Sequence, residues 1–206
     1  MIKLVIFDFD GTIVNTKYAY YSSMNRHLNP LGFSRKQIDA AIDLGLNLSE
    51  TIERFVPFRL YKWWVKRKIV RDVLREAGHI HKCRDVGSIR RIKARRVVIS
   101  NSFSDFIMPI IRHLKLGKIF SEIHCADEFN DKAEFIKRYL KKRRIKPKEC
   151  AYVGDRASDV RVARKTGCVS IIVLGKCAWD SRAEVLAAQP DFVVNELREI
   201  AEIVRD

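Results

Sequence analysis

The sequence contains no long hydrophobic run, because its longest apolar stretches, such as residues 171–174, cover only a few positions. A helix that spans a bilayer needs about 20 apolar residues, so we expect no membrane-spanning segment and no membrane partner. No secretory signal precedes the first apolar segment, which begins within a few residues of Met1. These absences predict a cytoplasmic protein.

The five cysteines form no CxxC pair and are spread along the chain at positions 83, 125, 150, 168 and 177. An odd number of cysteines without a repeated spacing argues against a disulfide framework, so we expect reduced thiols. His79, His81 and Cys83 stand close together in the sequence, but no second pair of metal ligands lies near them. We therefore interpret this segment as a helix end and a loop rather than a metal site.

Acidic residues are scarce relative to basic ones, since 25 Asp and Glu stand against 40 Lys and Arg and give a net charge of +15. Much of the excess lies between Arg54 and Arg96, where fifteen basic residues meet only three acidic ones. Such a charge favours anionic partners, namely phosphorylated metabolites, nucleic acid or an acidic membrane surface. Charge alone does not distinguish among them.

The pattern of apolar residues divides the 206-residue chain into two kinds of sequence. Residues 14–85 show no convincing strand and are predicted to be helical, whereas strands and helices alternate from about residue 86 onward. Alternation of this kind predicts a doubly wound, Rossmann-like parallel α/β sheet, in which ligands bind at the carboxyl ends of the strands. We expect a core formed by residues 1–13 and 86–206, with residues 14–85 inserted as an all-α cap over the active site.

The most informative motif follows the first predicted strand. Residues 4–7 form an apolar run, and it leads directly into Asp8-Phe9-Asp10-Gly11-Thr12. Side chains alternate along a strand, so Asp8 and Asp10 are expected on the same side. Two neighbouring carboxylates repel each other, and Mg²⁺, which prefers hard oxygen ligands, would relieve that repulsion. An acidic turn is the plainer alternative for this motif taken alone.

Three further segments place polar groups at predicted strand ends or at a helix start: Ser100-Asn101-Ser102, Lys132, and Gly154-Asp155 with Asp159. The hydroxyl and amide groups of the first are suited to holding phosphoryl oxygens, and a lysine can stand beside developing negative charge. Each segment alone has an ordinary explanation as a turn, a surface lysine or a charge at a helix start. Only the ordered set indicates a site for phosphate chemistry.

In this order, the four motifs resemble those of the haloacid-dehalogenase-like superfamily of phosphohydrolases. The resemblance covers residues 1–13 and about 86–194, and it is to phosphoglycolate phosphatase-like members with an inserted helical (C1-type) cap. It implies a Mg²⁺-dependent phosphatase that hydrolyses a small phosphorylated metabolite, a phosphate monoester, through an aspartyl-phosphate. The second carboxylate, Asp10, argues for phosphoryl transfer over dehalogenation within the superfamily.

The resemblance also implies a role for each matched residue. Asp8 would be the nucleophile, and Asp10 the general acid that protonates the leaving oxygen and then the base that activates water. Ser100 and Lys132 would bind phosphoryl oxygens, next to Asn101, and Thr12 would orient its loop and the phosphate. Mg²⁺ would be held by three carboxylates and one backbone carbonyl: those of Asp8, Asp155, Asp159 and, for the carbonyl, Asp10.

Two alternatives remain open at this stage. A phosphomutase would use the same motifs but return the phosphoryl group to a bound sugar phosphate instead of to water. A nucleic-acid-binding or nucleotide-acting protein on the same scaffold would explain the basic segment, in which Tyr61-Lys62-Trp63-Trp64 adds aromatic rings. We favour the interpretation that Trp63 and Trp64 pack inside the inserted helices while the basic residues face water. The sequence carries no signal for the oligomeric state.

Overall fold

The computed structural model describes residues 1–43, 48–56 and 59–205. The chain divides into two compact units. Met1–Asn15 and His81–Asp206 form one, which we call the core unit, and Thr16–Ile80 form the other, the inserted unit. None of the helices in the described residues is long and apolar enough to cross a membrane.

The core unit is built on a parallel β-sheet. In chain order the strands of the described residues are β1 (Leu4–Phe7), β2 (Val14–Asn15), β3 (His81–Lys82), β4 (Arg95–Ile99), β5 (Glu122–His124), β6 (Cys150–Gly154), β7 (Val169–Val173) and β8 (Phe192–Val194). Six of them form the parallel sheet in the order β5-β4-β1-β6-β7-β8, and β2 pairs with β3 in a separate antiparallel ladder. This arrangement confirms the predicted doubly wound α/β core.

Helices account for most of the remaining structure. Within the described residues the α-helices are α1 (Lys17–Leu28), α2 (Arg35–Asp43), α3 (Leu48–Phe55), α4 (Arg59–Arg75), α5 (Ser104–His113), α6 (Lys132–Arg143), α7 (Ala157–Thr166), α8 (Arg182–Ala187) and α9 (Ile200–Ile203). Short 3₁₀ turns lie between them, at Asn29–Leu31, Ala77–His79, Val86–Arg91, Ala126–Glu128, Pro147–Glu149 and Leu197–Glu199.

The first strand lies at the centre of the sheet, and every residue of it is buried. β1 pairs with β4 on one side and with β6 on the other, with Phe7 opposite both Val98 and Val153. A strand covered on both faces needs a continuous apolar run, and this explains why residues 4–7 show no alternation. Because all six strands are parallel, their carboxyl ends meet at one edge, and the motifs after β1, β4 and β6 come together there.

The expectation that residues 14–85 contain no strand was wrong at both of their ends. β2 and β3 form a two-residue antiparallel pair, with Val14 opposite Lys82 and Asn15 opposite His81. Strands this short carry too little periodicity to be seen in the sequence. The segment in which the predicted alternation of strands and helices begins is a 3₁₀ turn at Val86–Arg91 followed by extended backbone at Ile92.

The expectation that all five cysteines are reduced was wrong as well. Cys83 and Cys177 form a disulfide between the segment after β3 and the loop after β7, with their Cα atoms 5.9 Å apart. Cys125, Cys150 and Cys168 are free and buried. The paired cysteines are separated by 94 residues, so their proximity depends on the strand order of the sheet and not on local spacing. The predicted cytoplasmic location stays a prediction, and the disulfide weakens the cysteine argument for it.

The two neighbouring tryptophans of α4 are not packed inside the inserted unit as expected. Trp63 is 59% exposed and Trp64 is 45% exposed, whereas Val65, Ile69 and Val73 of the same helix are fully buried. These three aliphatic residues recur at intervals of four and supply the apolar stripe of the helix by themselves. The tryptophans therefore lie on the outward side of α4.

Candidate active site

The nucleophile candidate extends from the carboxyl end of β1. Asp8 donates its backbone N–H to the carbonyl oxygen of Val153 at 2.8 Å, so the residue continues the pairing of β1 with β6. The chain then turns at Gly11, whose φ of +79° lies in the region that favours glycine. A Cβ at this position would lie 2.3 Å from Oδ2 of Asp155. Glycine is therefore required at position 11 for this turn to lie against Asp155, which belongs to the second acidic motif, Gly154-Asp155 with Asp159.

The second acidic motif follows β6 and is built in the same way. A Cβ on Gly154 would lie 2.2 Å from Cγ of Asp159, so only glycine leaves room for that carboxylate. Oδ2 of Asp159 accepts the backbone N–H groups of Asp155 at 3.1 Å and Arg156 at 3.0 Å. These bonds hold the start of α7 against the strand end and fix the positions of both carboxylates.

Three carboxylates converge at this edge of the sheet. One oxygen from each of Asp8, Asp155 and Asp159 lies within 4.8 Å of the others, and Asp155 and Asp159 are buried. Burial, together with repulsion from Asp159 and Asp8, raises the pKa of Asp155 well above its usual value. Burial and repulsion from Asp8 raise the pKa of Asp159 to about 6. A set of crowded, buried hard oxygens fits a divalent cation such as Mg²⁺.

Lys132, the first residue of α6, supplies a buried positive charge to the cluster. Its Nζ lies 2.7 Å from Oδ1 of Asp8 and 2.8 Å from the hydroxyl oxygen of Tyr152. Burial alone would lower the pKa of Lys132, but attraction to Asp8 and Asp159 outweighs it, and the pKa is raised. The lysine is therefore held as an ammonium beside the carboxylate of Asp8.

The remaining predicted residues divide into those near the cluster and one that stands apart. Thr12 is buried and donates from Oγ1 to Oδ1 of Asp155 at 3.1 Å. Ser100 is buried at the end of β4, and its Oγ accepts the backbone N–H of Ser102 at 3.1 Å. Asn101 is exposed, and in the part of the chain that the structure describes it forms no hydrogen bond to the cluster.

Ser102 takes part in the site although the sequence did not single it out as a site residue. Its Oγ donates to Oδ2 of Asp10 at 2.7 Å, which links the loop after β4 to the loop after β1. The sequence did contain a signal for Ser102, because it belongs to the Ser100-Asn101-Ser102 segment after β4. Of the two serine hydroxyls in this segment, the structure shows that the one of Ser102 reaches Asp10.

Tyr152 connects the charged groups within β6. Its hydroxyl donates to Oδ1 of Asp159 at 3.2 Å while it accepts from Lys132. Burial and the negative charges of Asp159 and Asp8 raise the pKa of Tyr152 well above its usual value, so the hydroxyl keeps its proton. An aromatic residue inside a buried strand gives no sequence signal for this role, since it equally suits a core position.

The loop after β7 also contacts the cluster. The backbone N–H of Trp179 donates to Oδ2 of Asp155 at 2.7 Å. Asp180, buried, accepts from Nε of Arg156 and from the backbone N–H of Ala157, each at 2.8 Å. Burial alone would lower the pKa of Arg156, but attraction to Asp180 outweighs it and raises the pKa. The loop thus fixes the second acidic motif from the other side, and no local pattern predicted it.

Comparison with known proteins places this geometry in a family. Residues 5–173 match the model of the haloacid dehalogenase-like hydrolases. A phosphoglycolate phosphatase of Vibrio parahaemolyticus is 25% identical over 98% of this chain and 96% of its own length.

Two solved structures share the fold over nearly the whole chain. A predicted phosphoglycolate phosphatase from Haemophilus somnus is 18% identical, with a TM-score of 0.82 over 99% of this chain and 98% of that chain. CbbY from Rhodobacter sphaeroides, in complex with phosphate, is 19% identical, with a TM-score of 0.78 over 97% and 96%. The family match covers most of the sequence and includes the β1, β4 and β6 motifs. The chain therefore belongs to the haloacid dehalogenase-like hydrolase family, and the prediction of a phosphatase enzyme is confirmed.

Proposed function

We propose that the protein hydrolyses a small phosphate monoester in a Mg²⁺-dependent reaction through an aspartyl-phosphate on Asp8. The observation that carries this proposal is the 2.7 Å contact between Asp8 and the buried ammonium of Lys132, within a cluster of three carboxylates. A carboxylate attacks an anionic phosphate ester only where the repulsion between them is neutralised. At this edge of the sheet Lys132 supplies a positive charge, and the carboxylate oxygens can bind a cation that supplies a second one.

The cation would be held by the carboxylates of Asp8, Asp155 and Asp159 and by the backbone carbonyl of Asp10. When bound, Mg²⁺ neutralises charge on the carboxylates and on the phosphoryl oxygens. The raised pKa values of Asp155 and Asp159 fit this assignment, because they show that the chain's own groups leave the cluster short of positive charge. Thr12 and Trp179 hold the two oxygens of Asp155 in place.

In the first step an oxygen of Asp8 forms a bond to phosphorus as the bond from phosphorus to the ester oxygen breaks. Asp10 gives its proton to the leaving oxygen, so the product departs as an alcohol. In the second step Asp10 takes a proton from water, and the hydroxyl attacks phosphorus and releases Asp8 and inorganic phosphate. Ser102 orients the Asp10 carboxyl for both transfers through its 2.7 Å hydrogen bond.

The phosphoryl oxygens are bound by Lys132 and by the hydroxyl of Ser100, with the exposed Asn101 beside them. Lys132 stabilises the charge that spreads over these oxygens in the transition state. Thr12 acts indirectly in this scheme, because its hydroxyl is directed to Asp155. The inserted unit acts as a cap that selects the part of the substrate beyond the phosphate. The first candidate substrate is a compact phosphorylated metabolite such as phosphoglycolate, because the Vibrio parahaemolyticus relative is a phosphoglycolate phosphatase.

The test compares Asp8→Asn with wild type on p-nitrophenyl phosphate and on phosphoglycolate, with Mg²⁺ and with EDTA. We expect the substitution to lower turnover by at least about 10³-fold, because an amide is a poor nucleophile. Asp105→Asn, an exposed acid in the first turn of α5, removes the same charge and should change turnover by less than about twofold.

Full activity of the Asp8 variant would refute the aspartyl-phosphate, and wild-type activity in EDTA would refute the metal dependence. Release of inorganic phosphate separates hydrolysis from the phosphomutase alternative, which transfers the group to a sugar phosphate.

A further inference from the structure

One side of α4 combines exposed aromatic rings with basic side chains. In an α-helix of 3.6 residues per turn, this side lies away from the buried residues Val65, Ile69 and Val73. Its apolar members are largely exposed, at 86% for Leu60, 39% for Tyr61, 59% for Trp63 and 45% for Trp64. We call it the aromatic–basic face, and it consists of Leu60, Tyr61, Trp63, Trp64, Arg67, Lys68, Arg71 and Arg75.

The rings and cations of this face are arranged in contact with one another. The rings of Tyr61 and Trp64 stack with centroids 5.6 Å apart and planes 8° from parallel. The guanidinium of Arg67 lies 5.1 Å from the ring centroid of Trp63, and the ammonium of Lys68 lies 5.0 Å from that of Trp64. The face therefore presents flat rings and cations at fixed spacing, and Trp63 and Trp64 remain about half open to solvent.

Within the described residues, most cations of this face have no acidic partner. The acid of α4, Asp72, is buried and is bound by Arg26 at 3.1 Å and His27 at 2.8 Å on the inward side. Of the cations of this face, Arg75 alone pairs with an acid in the described part of the chain, at 3.9 Å from Asp72. Among the described residues, Arg67, Lys68 and Arg71 form no ion pair. The face is complementary in charge to a polyanion, and its rings are complementary to planar groups.

The order of the residues around the helix distinguishes between two polyanions. A helix that inserts into an anionic membrane separates a continuous apolar side from a charged side. Here Arg67 lies between Trp63 and Leu60 around the helix, and Arg71 lies between Leu60 and Trp64, so no apolar side is free of charge. Alternating rings and cations instead match the stacked bases and phosphates of a single-stranded nucleic acid.

We propose that the aromatic–basic face of α4 binds single-stranded nucleic acid, with bases stacked on Trp63 and Trp64 and phosphates contacted by Arg67, Lys68 and Arg71. The interaction is independent of the phosphatase chemistry, because every group that carries it belongs to the inserted unit. It requires no particular base sequence, since every base offers a flat face for stacking.

The test measures binding of a fluorescein-labelled DNA or RNA single strand of about 12 nucleotides by fluorescence anisotropy. The logarithm of the association constant should fall with the logarithm of salt concentration by about 0.7 per phosphate contact, which gives a slope near −2 for three contacts. Trp63→Ala with Trp64→Ala should weaken binding by about tenfold or more with little change in this slope. Arg67→Ala with Lys68→Ala should weaken binding and flatten the slope by about 1 or more.

Two control variants match these changes elsewhere in the chain. Lys141→Ala with Lys142→Ala removes two exposed charges from α6, and Tyr18→Ala removes an exposed ring from α1. Both should leave the affinity within about threefold of wild type. Circular dichroism and thermal unfolding confirm that each variant is folded.

Several outcomes would overturn the proposal. These are no binding at low salt, equal loss in the α6 variant, affinity unchanged by the tryptophan substitutions, or equal affinity for a duplex of the same length. Binding to vesicles that contain phosphatidylserine, without binding to the oligonucleotide, would assign the face to a membrane instead. A dimer in analytical ultracentrifugation that is lost with the tryptophans, again without oligonucleotide binding, would assign it to a second copy of the chain.

Discussion

Buried aspartates occur in both units of this protein, but their surroundings affect them in opposite ways. In the inserted unit, burial alone would raise the pKa of Asp72, but hydrogen bonds from His27 and Arg26 outweigh it, and the pKa is lowered. In the core unit, burial and neighbouring carboxylates raise the pKa of Asp155 and Asp159. The backbone N–H of Trp179 opposes this only in part at Asp155, and Lys132 opposes it only in part at Asp159. Basic side chains therefore balance the charge of Asp72, whereas the charges of Asp155 and Asp159 are not fully balanced.

We interpret this difference as one between an acid that stabilises the fold and the two acids that we propose as metal ligands. The charge of Asp72 is neutralised by Arg26 and His27, so this carboxylate stabilises the inserted unit without a further ligand. Crowded carboxylates lower the stability of the folded state unless a cation or a proton binds to them. Such destabilising clusters are found mainly at active sites, where the shifted pKa values are needed for the reaction. Substitutions that remove the charge should therefore change stability in opposite directions at the two places.

The sharpest test of the comparison is Asp155→Asn, and it has the largest expected effect on activity. The pKa of Asp155 is higher in the folded state than its unfolded value of about 3.9. Ionisation of Asp155 therefore destabilises the folded state above about pH 4, and this cost is absent at lower pH. The asparagine variant should lose about 10³-fold in turnover, yet gain about 1 kcal/mol or more in free energy of unfolding in EDTA at pH 7. Urea denaturation measures the second quantity, and a loss of stability there would break the comparison.

Lys132→Met removes the buried ammonium that contacts Asp8 in the cluster. Turnover should fall by about 10²–10³-fold, because the charge that develops on the phosphoryl oxygens loses its fixed partner. Lys137→Met, on the same helix, removes a cation that pairs with Glu134 at the surface and should leave turnover within about twofold. Similar rates for the two variants would mean that the buried lysine has only a structural role.

Asp72→Asn should have the opposite sign to Asp155→Asn in stability. The folded pKa of Asp72 is lowered, so its stabilisation is present at neutral pH and is lost as the pH falls below the unfolded value of about 3.9. The variant should be less stable by about 1–3 kcal/mol at pH 7, and the difference should begin to shrink as the pH falls below about 4. A difference that is constant with pH would indicate lost packing instead of lost charge.

Ser102→Ala carries the smallest expected effect. It removes the 2.7 Å hydrogen bond to Asp10 without altering any charge, and we expect about a tenfold lower kcat with a nearly unchanged KM. Ser102→Thr keeps the hydroxyl and should restore most of the rate, while Ser104→Ala at the exposed start of α5 should have no effect. Failure of threonine to restore the rate would show that the hydroxyl does not position Asp10.

Much of the core unit follows from the sequence, because buried parallel strands need continuous apolar runs. The helix at Ala157–Thr166 and the strand at Phe192–Val194 belong to the alternation of helices and strands predicted from about residue 86 onward. The clustering of Asp8, Asp155 and Asp159 also follows, since parallel strands place their carboxyl ends at one edge. The catalytic roles of these residues stay predictions.

Other features depend on contacts between distant segments and left no local signal. Trp179 reaches Asp155 through a backbone N–H, which any residue at that position could supply. Cys83 and Cys177 meet only because β7 lies two strands from β1. The exposure of Trp63 was missed because aromatic residues at helical spacing usually pack inward, whereas here aliphatic residues already fill the inward stripe.

The short pair of β2 and β3 has a consequence for how such a chain can change over evolution. The polypeptide leaves the core at Asn15 and returns at His81, and these two residues face each other in register. Because the exit and the return are neighbours, the intervening module can be lengthened, trimmed or exchanged without altering the strand order of the sheet. A two-residue hairpin turn between them would even close the core without it. Under the proposal that this module selects the substrate, substrate preference can change with the module while the residues at the strand ends stay the same.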